Sequence, residues 1–242
     1  MTDPVTRLVA VELASVPITA AVPLAARYAE TTAMLRFGGG VQHSSRGLAV
    51  TAVFTERAAA VRLRGEIVTL HGLHATLVTS PESGGWRGTG GRDALYLARR
   101  VGLLDAAGRP TPDLPLDPWT CTFAEGHAIL RAAFLASGQI KVVAAGDGRP
   151  GSRGRLSLDC PPLRVGLWLT AYLRRCGITA HRSRTVNGPH IVETVQVRQP
   201  RAVGELLAAM GAPAAARLLG DPPRPRRRRS PQVPEPVPAQ FS

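Results

Sequence analysis

The sequence predicts an α+β fold built from two copies of one unit: helix, strand, strand, helix, strand, strand, helix. Three observations predict it. Segments of helical and of strand period run in the same order twice. A proline-dense stretch at 109–120 separates the two runs. In each run an apolar helix stops at glycine, first at Gly38-Gly39-Gly40 and then at Gly138. Superposing the two glycine-ended helices pairs Gly39 with Ser137 and gives a repeat of about 98 residues, the scale on which an internal duplication is sought. The chain has 242 residues, of which 44% are apolar and 19% charged. That composition excludes a wholly disordered chain and suffices for a buried core.

The elements follow in order. Asp3 caps a first helix, with Pro4 at its first turn and Val5, Leu8, Val9 and Leu13 on one face. Pro17 ends it. A second apolar helix spans 22–37. Strands follow at 41–44 and 48–54, with Arg46-Gly47 turning between them. Thr55 caps the next helix, whose face carries Ala60, Leu63, Ile67 and Leu70. Arg57, Arg62 and Arg64 lie off that stripe and are expected in water. A strand at 75–79, a glycine-rich loop with a weak strand around Trp86, and a short helix at 93–101 complete the first unit, 1–108. The second unit, 121–220, has a helix at 125–137, strands at 139–143 and 155–160, and a helix at 162–176 that keeps its apolar period through Tyr172. A hairpin of 178–183 and 191–197 turns at Asn187-Gly188. A helix around Val203–Met210 and one or two turns at 212–219 end it. From 221 to 242, seven prolines and Arg226-Arg227-Arg228-Arg229 predict a disordered basic tail.

The net charge is +13 from 30 basic and 17 acidic residues. All the basic residues but one, Lys141, are arginine. A strongly basic chain points to a polyanionic partner, most often nucleic acid. Cys121, Cys160 and Cys176 are too few for a disulfide framework and read as core thiols of a reducing cytoplasm. No apolar run reaches the ~18 residues of a membrane span. The stretch 8–26 is not a secretory signal, because Glu12, Pro17 and Pro23 interrupt it.

The stretches Ala33-Met34-Leu35-Arg36-Phe37-Gly38-Gly39-Gly40, Val101-Gly102-Leu103-Leu104-Asp105, Leu206-Leu207-Ala208-Ala209-Met210-Gly211-Ala212 and, above all, Ile129-Leu130-Arg131-Ala132-Ala133-Phe134-Leu135-Ala136-Ser137-Gly138 carry a resemblance. Over about 1–220 the chain resembles the WhiA family, bacterial regulators of sporulation and cell division. Its glycine-ended helices are similar to those of LAGLIDADG homing endonucleases. The resemblance implies a LAGLIDADG-like duplicated αββαββα with two motif helices about a pseudo-twofold axis. It also implies a C-terminal helix-turn-helix domain that contacts promoter DNA. This sequence ends about where that domain begins, so the family's main DNA reader is expected to be missing.

In the nuclease relatives an acid near the end of each motif helix holds the metal for strand cleavage, because hard cations take oxygen ligands. Here those positions are Gly39 and Ser137, which supply no charge, so no catalytic residue, metal or cofactor is expected and the chain is read as not an enzyme. Leu35, Gly38, Gly39, Gly40, Ala133, Ala136 and Gly138 are expected to let the two helices approach closely. His71 and His74 have the spacing of a metal pair but no third ligand. The 84–91 stretch lacks the spacing and the lysine of a phosphate loop. The candidate nucleic-acid contacts are Arg153, Arg155, Arg182, Arg184 and Arg198 on one sheet face, and Arg226, Arg227, Arg228 and Arg229 in the tail. The expected function is a non-catalytic, DNA-associated regulator acting in sporulation or cell division, cytoplasmic and nucleoid-associated. It would bind double-stranded DNA weakly and salt-sensitively and gain specificity from a protein partner. The alternative is a module that pairs with a full-length DNA-binding regulator without touching DNA. No membrane partner is expected.

Overall fold

A computed structural model describes residues 3–19, 21–44, 47–79, 86–90, 93–144, 152–160, 163–187 and 190–219. The first half contains α1 (Pro4–Ala14), α2 (Leu24–Gly38), β1 (Gly39–Ser44), β2 (Gly47–Phe54), α3 (Arg57–His71), β3 (Ala75–Thr79), β4 (Trp86–Gly90) and α4 (Ala94–Arg100). The second contains α5 (Phe123–Ser137), β5 (Gly138–Ala144), β6 (Ser152–Cys160), α6 (Leu163–Arg175), β7 (Ala180–Asn187), β8 (His190–Val197), α7 (Pro200–Met210) and α8 (Pro213–Leu219). Each half forms one antiparallel four-stranded sheet, in the matching orders β1-β2-β4-β3 and β5-β6-β8-β7. The duplicated αββαββα thus runs from α2 to α4 and from α5 to α7. The helices α1 and α8 are additions outside it.

Local chemistry explains the helix boundaries. Asp3 Oδ1 accepts the Val5 and Thr6 amides at 2.8 and 3.3 Å, and Pro4 occupies the first turn. A capping box opens α5, in which the Thr122 side chain takes the Glu125 amide and the Glu125 carboxylate takes the Thr122 amide. Thr55 does not cap α3. That helix starts at Arg57, with Glu56 at the cap position and no side-chain bond to the helix end. The weak strand around Trp86 is a full strand, β4, because it is held on both sides, by β2 and by β3.

α2 and α5 pack against each other, and each rests on its own sheet, α2 on β2 and α5 on β6. Both are buried nearly all round, which is why their sequences show no clean polar face. One hydrophobic cluster runs through both halves, from Leu13, Met34 and Phe54 to Leu130, Leu156 and Val195. The proline-rich connection is strapped to it. Arg36 of α2 donates to Gly102 O at 2.7 Å and Thr111 O at 2.5 Å, Trp168 Nε1 donates to Leu116 O, and Leu114 is buried. Gly126 lets α5 meet α6, since a Cβ there would overlap the Tyr172 ring. Gly126→Ala is expected to overpack this crossing and cost about 1–3 kcal/mol, seen as a lower urea midpoint.

The helix α1 leaves its own half. Thr6 Oγ1 donates to Ile140 O at 3.2 Å and accepts the Ile140 amide at 2.8 Å, covering the edge of β5. The Glu12 carboxylate accepts the Ala214 and Ala215 amides at 2.8 and 2.9 Å, serving the open end of α8.

Candidate nucleic-acid interface

Two places inherit the expectations drawn from the sequence: the ends of the paired helices, and the sheet face of the second half. At the helix ends, α2 finishes at Gly38 and α5 at Ser137. Gly39 already opens β1 and is paired with Ala52 of β2. Three glycines in a row offer three registers to a sequence match, and strand pairing selects one. The close approach at these glycines is to their own sheet. A Cβ on Gly38 would meet Ala52 Cβ at 2.9 Å, and one on Gly39 would meet Thr51 O at 2.5 Å. Gly40 has a left-handed φ of 103° and open space around it. Gly138 abuts the Phe134 ring. Leu35 and Ala133 are buried in the common core, and Ala136 is half-buried against it.

Beside the α5 end lies a cleft of about 860 Å³, lined among others by Asp3, Arg7, Glu56, Ser137, Lys141 and Asp159. Its carboxylates are already engaged. Asp3 caps α1, Glu56 Oε1 pairs with Arg7 Nε at 3.3 Å, and Asp159 Oδ1 accepts the Thr194 hydroxyl at 2.8 Å. Ser137 Oγ donates to Asp159 O at 2.7 Å. Among the described residues no group of three His, Cys, Asp or Glu side chains could hold a metal ion. Cys121 and Cys160 are buried, and burial beside Glu193 and Asp159 pushes the Cys160 thiol up to about 12, the behaviour of a core thiol and not of a nucleophile. Burial and the nearby Arg100 charge hold the His71 imidazole below its ordinary range. It packs edge-on against Tyr28.

The face of the second sheet is fixed by strand register. Leu156, Leu158, Val195 and Val197 point into the core. The alternate positions point the other way. Across the sheet, Gln139, Ser157, Gln196 and His181 form one transverse row; Lys141 sits opposite Arg155 in the next, and Asp159, Thr194 and Ser183 form a third. Lys141 and Arg155 are exposed, and neither is in an ion pair among the described residues. Arg198 follows the end of β8, is exposed, and donates to Gln196 Oε1 at 3.2 Å. Arg153 precedes Arg155 by two in β6 and pairs with Val143; its side chain lies outside the described residues.

Arg182 and Arg184 are not on this face. In the β7–β8 ladder Arg182 stands opposite Val195 and Arg184 opposite Glu193, both inward-facing positions. Arg182 Nε instead pairs with the buried Glu193 carboxylate at 2.9 Å. The two-residue spacing does put both arginines on one side, but only the pairing partner decides which side that is. The tail arginines, Arg226 to Arg229, lie outside the described residues.

A further site escaped the sequence. Glu30 of α2 lies 2% exposed between two buried arginines: Arg62 Nε at 2.6 Å from Oε1, and Arg131 Nη2 at 2.6 Å from Oε2. Arg62 also reaches Val16 O, and Arg131 donates to Met210 O at 2.8 Å. Arg62 is therefore not in water, as its helical position predicted, but inside the core. Burial alone would raise the Glu30 carboxyl, yet the hydrogen bonds and charges of Arg131 and Arg62 hold it below the usual carboxylate range. An acid amid Ala26, Ala29 and Ala33 was the available signal, since a buried carboxylate needs cationic partners.

No protein-family model matches the chain. A protein of Acidothermus cellulolyticus named "Probable cell division protein WhiA" is 37% identical over 206 residues, 83% of this chain and 59% of that protein. The chain is a homologue of the WhiA proteins. Further WhiA relatives from Mycobacterium and Nocardioides are 34–36% identical. The crystal structure of the N-terminal LAGLIDADG domain of DUF199/WhiA matches with a TM-score of 0.58 at 13% identity, covering 87% of this chain and 91% of that one. I-DmoI in complex with DNA and Ca matches with a TM-score of 0.53 at 12% identity, covering 81% and 98%. The fold is LAGLIDADG-like. The chain spans about 60% of the length of the curated WhiA relatives it matches. No described helix is long and apolar enough to cross a membrane.

Proposed function

We propose that this WhiA homologue is a non-catalytic, DNA-associated regulatory protein acting in cell division or sporulation, and that it contacts duplex DNA through the outer face of its second sheet. The observation that carries this reading is the Lys141–Arg155 pair. Two cations directly opposite each other across a strand pair repel. A polyanion laid over them removes that cost and gains counterion release. Arg198 extends the charge, and Gln139, Gln196 and His181 lie beside it as hydrogen-bonding groups. The non-catalytic part of the reading rests on the helix ends: Gly38 and Ser137 carry no carboxylate, and the acids of the cleft already have partners. Duplex incubated with the protein and magnesium is expected to stay intact on a denaturing gel; nicking would overturn this part. Fluorescence anisotropy against salt tests the rest. Binding should weaken steeply as salt rises. No binding to any duplex at low salt would leave the alternative of a module that acts only by pairing with another regulator.

A further inference from the structure

We infer that the exposed stripe of α3, together with the groove between α3 and residues 14–18, is a docking surface for an acidic amphipathic helix of a partner protein. Arg57, Val61, Arg64 and Val68 follow one another along α3 at steps of four, three and four residues. At 3.6 residues per turn all four fall within about 60° of the helix circumference. All are exposed, Val61 to 47% and Val68 to 41%. Scattered surface valines need no explanation, but these continue into a depression. A groove of about 550 Å³ opens at Val61, lined also by Ala14, Val16, Ile18, Arg57, Ala58 and Arg62. Ile18 is exposed there as well. The walls are fixed before anything binds. Arg62, held by Glu30, donates to Ala14 O at 3.4 Å and to Val16 O. Val16 also abuts Gly211, where a Cβ would meet Val16 Cγ2 at 2.7 Å. A preformed apolar groove loses little entropy when a ligand settles in it.

The chemistry of the occupant follows from what this surface offers. Apolar positions spaced by three and four along one helix are matched by the same spacing on a second helix laid beside it. The charge of the stripe is all of one sign. Arg64 is in no ion pair among the described residues. The acids of α1 and α3 have other partners: Glu12 serves the α8 amides, Glu56 at the α3 cap pairs with Arg7, and Glu66 pairs with Arg27. An acid on the partner supplies what this face lacks. A second copy of the chain fits poorly, because a twofold contact here brings two positive stripes together. Duplex DNA fits poorly too. Its phosphates would meet Arg64 but leave Val61, Val68 and Ile18 without an apolar partner.

The test uses the full chain and a fluorescently labelled synthetic peptide of three heptads. It carries leucine at the first and fourth positions of each heptad, glutamate at the fifth and seventh, and alanine elsewhere. The glutamates keep it from pairing with itself. A control peptide has the same composition with the leucine spacing scrambled. Anisotropy is expected to show the first peptide bound and the control bound about tenfold more weakly or less. The double variant Val61→Ser, Val68→Ser changes no residue of the core cluster. It should lose about tenfold in affinity for the first peptide, and Arg64→Glu a similar factor. Circular dichroism verifies that both variants fold. Equal affinity for the two peptides, no binding of the first at about 1 mM, or unchanged affinity in the serine variant would overturn the proposal. So would sedimentation of the native chain as a dimer that the serine variant does not form, since the occupant would then be a second copy.

Discussion

Glu30→Gln lowers the free energy of unfolding by about 3–5 kcal/mol, the cost of breaking a buried ion pair and leaving its partners charged. The expected readout is the urea midpoint. Here two guanidinium groups, Arg62 and Arg131, each 7% exposed, lose their common carboxylate at once. The effect reaches several elements, since the trio joins α2 to α3 and α5 and touches the backbone at Val16 and Met210. The pH dependence follows from the lowered Glu30 carboxyl. A carboxyl depressed on folding stabilises the native state above its unfolded pKa, and that contribution is lost as pH falls through the folded value. The native chain should therefore lose stability on acidification more steeply than Glu30→Gln. Parallel acid profiles for the two proteins would exclude Glu30 as the source. Replacing Glu30, Arg62 and Arg131 together by apolar residues of similar volume should recover most of the stability, because no unpaired charge is then left inside.

The double variant Lys141→Glu, Arg155→Glu is expected to abolish duplex binding at moderate salt. Restricting the change to Lys141→Ala, Arg155→Ala should weaken binding to all duplexes alike and reduce the salt slope by about one for each phosphate no longer neutralised. Arg184→Ala is the matched control. It removes the same charge from an exposed residue of the same sheet, but on the other face. If Arg184→Ala weakened binding as much as Arg155→Ala, affinity would come from overall charge and not from the outer face. Anisotropy titrations at several salt concentrations, with circular dichroism to verify folding, read all of these variants.

The order of elements was legible because each depends on near neighbours in the chain. Asp3-Pro4 and Thr122 through Glu125 announce their helices, and the alternation of Leu156, Leu158 and Cys160 announces a strand. What the sequence hid is decided by partners far away. Arg62 looks like a solvent-facing residue until Glu30, 32 positions earlier, is brought against it. Arg182 and Arg184 share a side of β7, but the side depends on β8, where Val195 and Glu193 fix the ladder. The Gly38-Gly39-Gly40 run could not reveal which residue ends the helix, because glycine marks a backbone change without a register. The absence of carboxylates at the motif-helix ends was readable at once, since it needs only residue identity. Which cations lie together was not, since Lys141 stood outside the arginine pattern and joins Arg155 only through the β5–β6 pairing.

The placement of α1 has a bearing on how the molecule folds. Thr6 waits for Ile140, 134 positions on, and Glu12 waits for Ala214, 202 positions on. Closing loops of that size costs entropy before any bond rewards it, so such pairings form late. The helix that comes first in the chain is thus fully seated only when both β5 and α8 are in place. The same contacts, added to the packing of α2 on α5, tie the first helix of the chain to its far end.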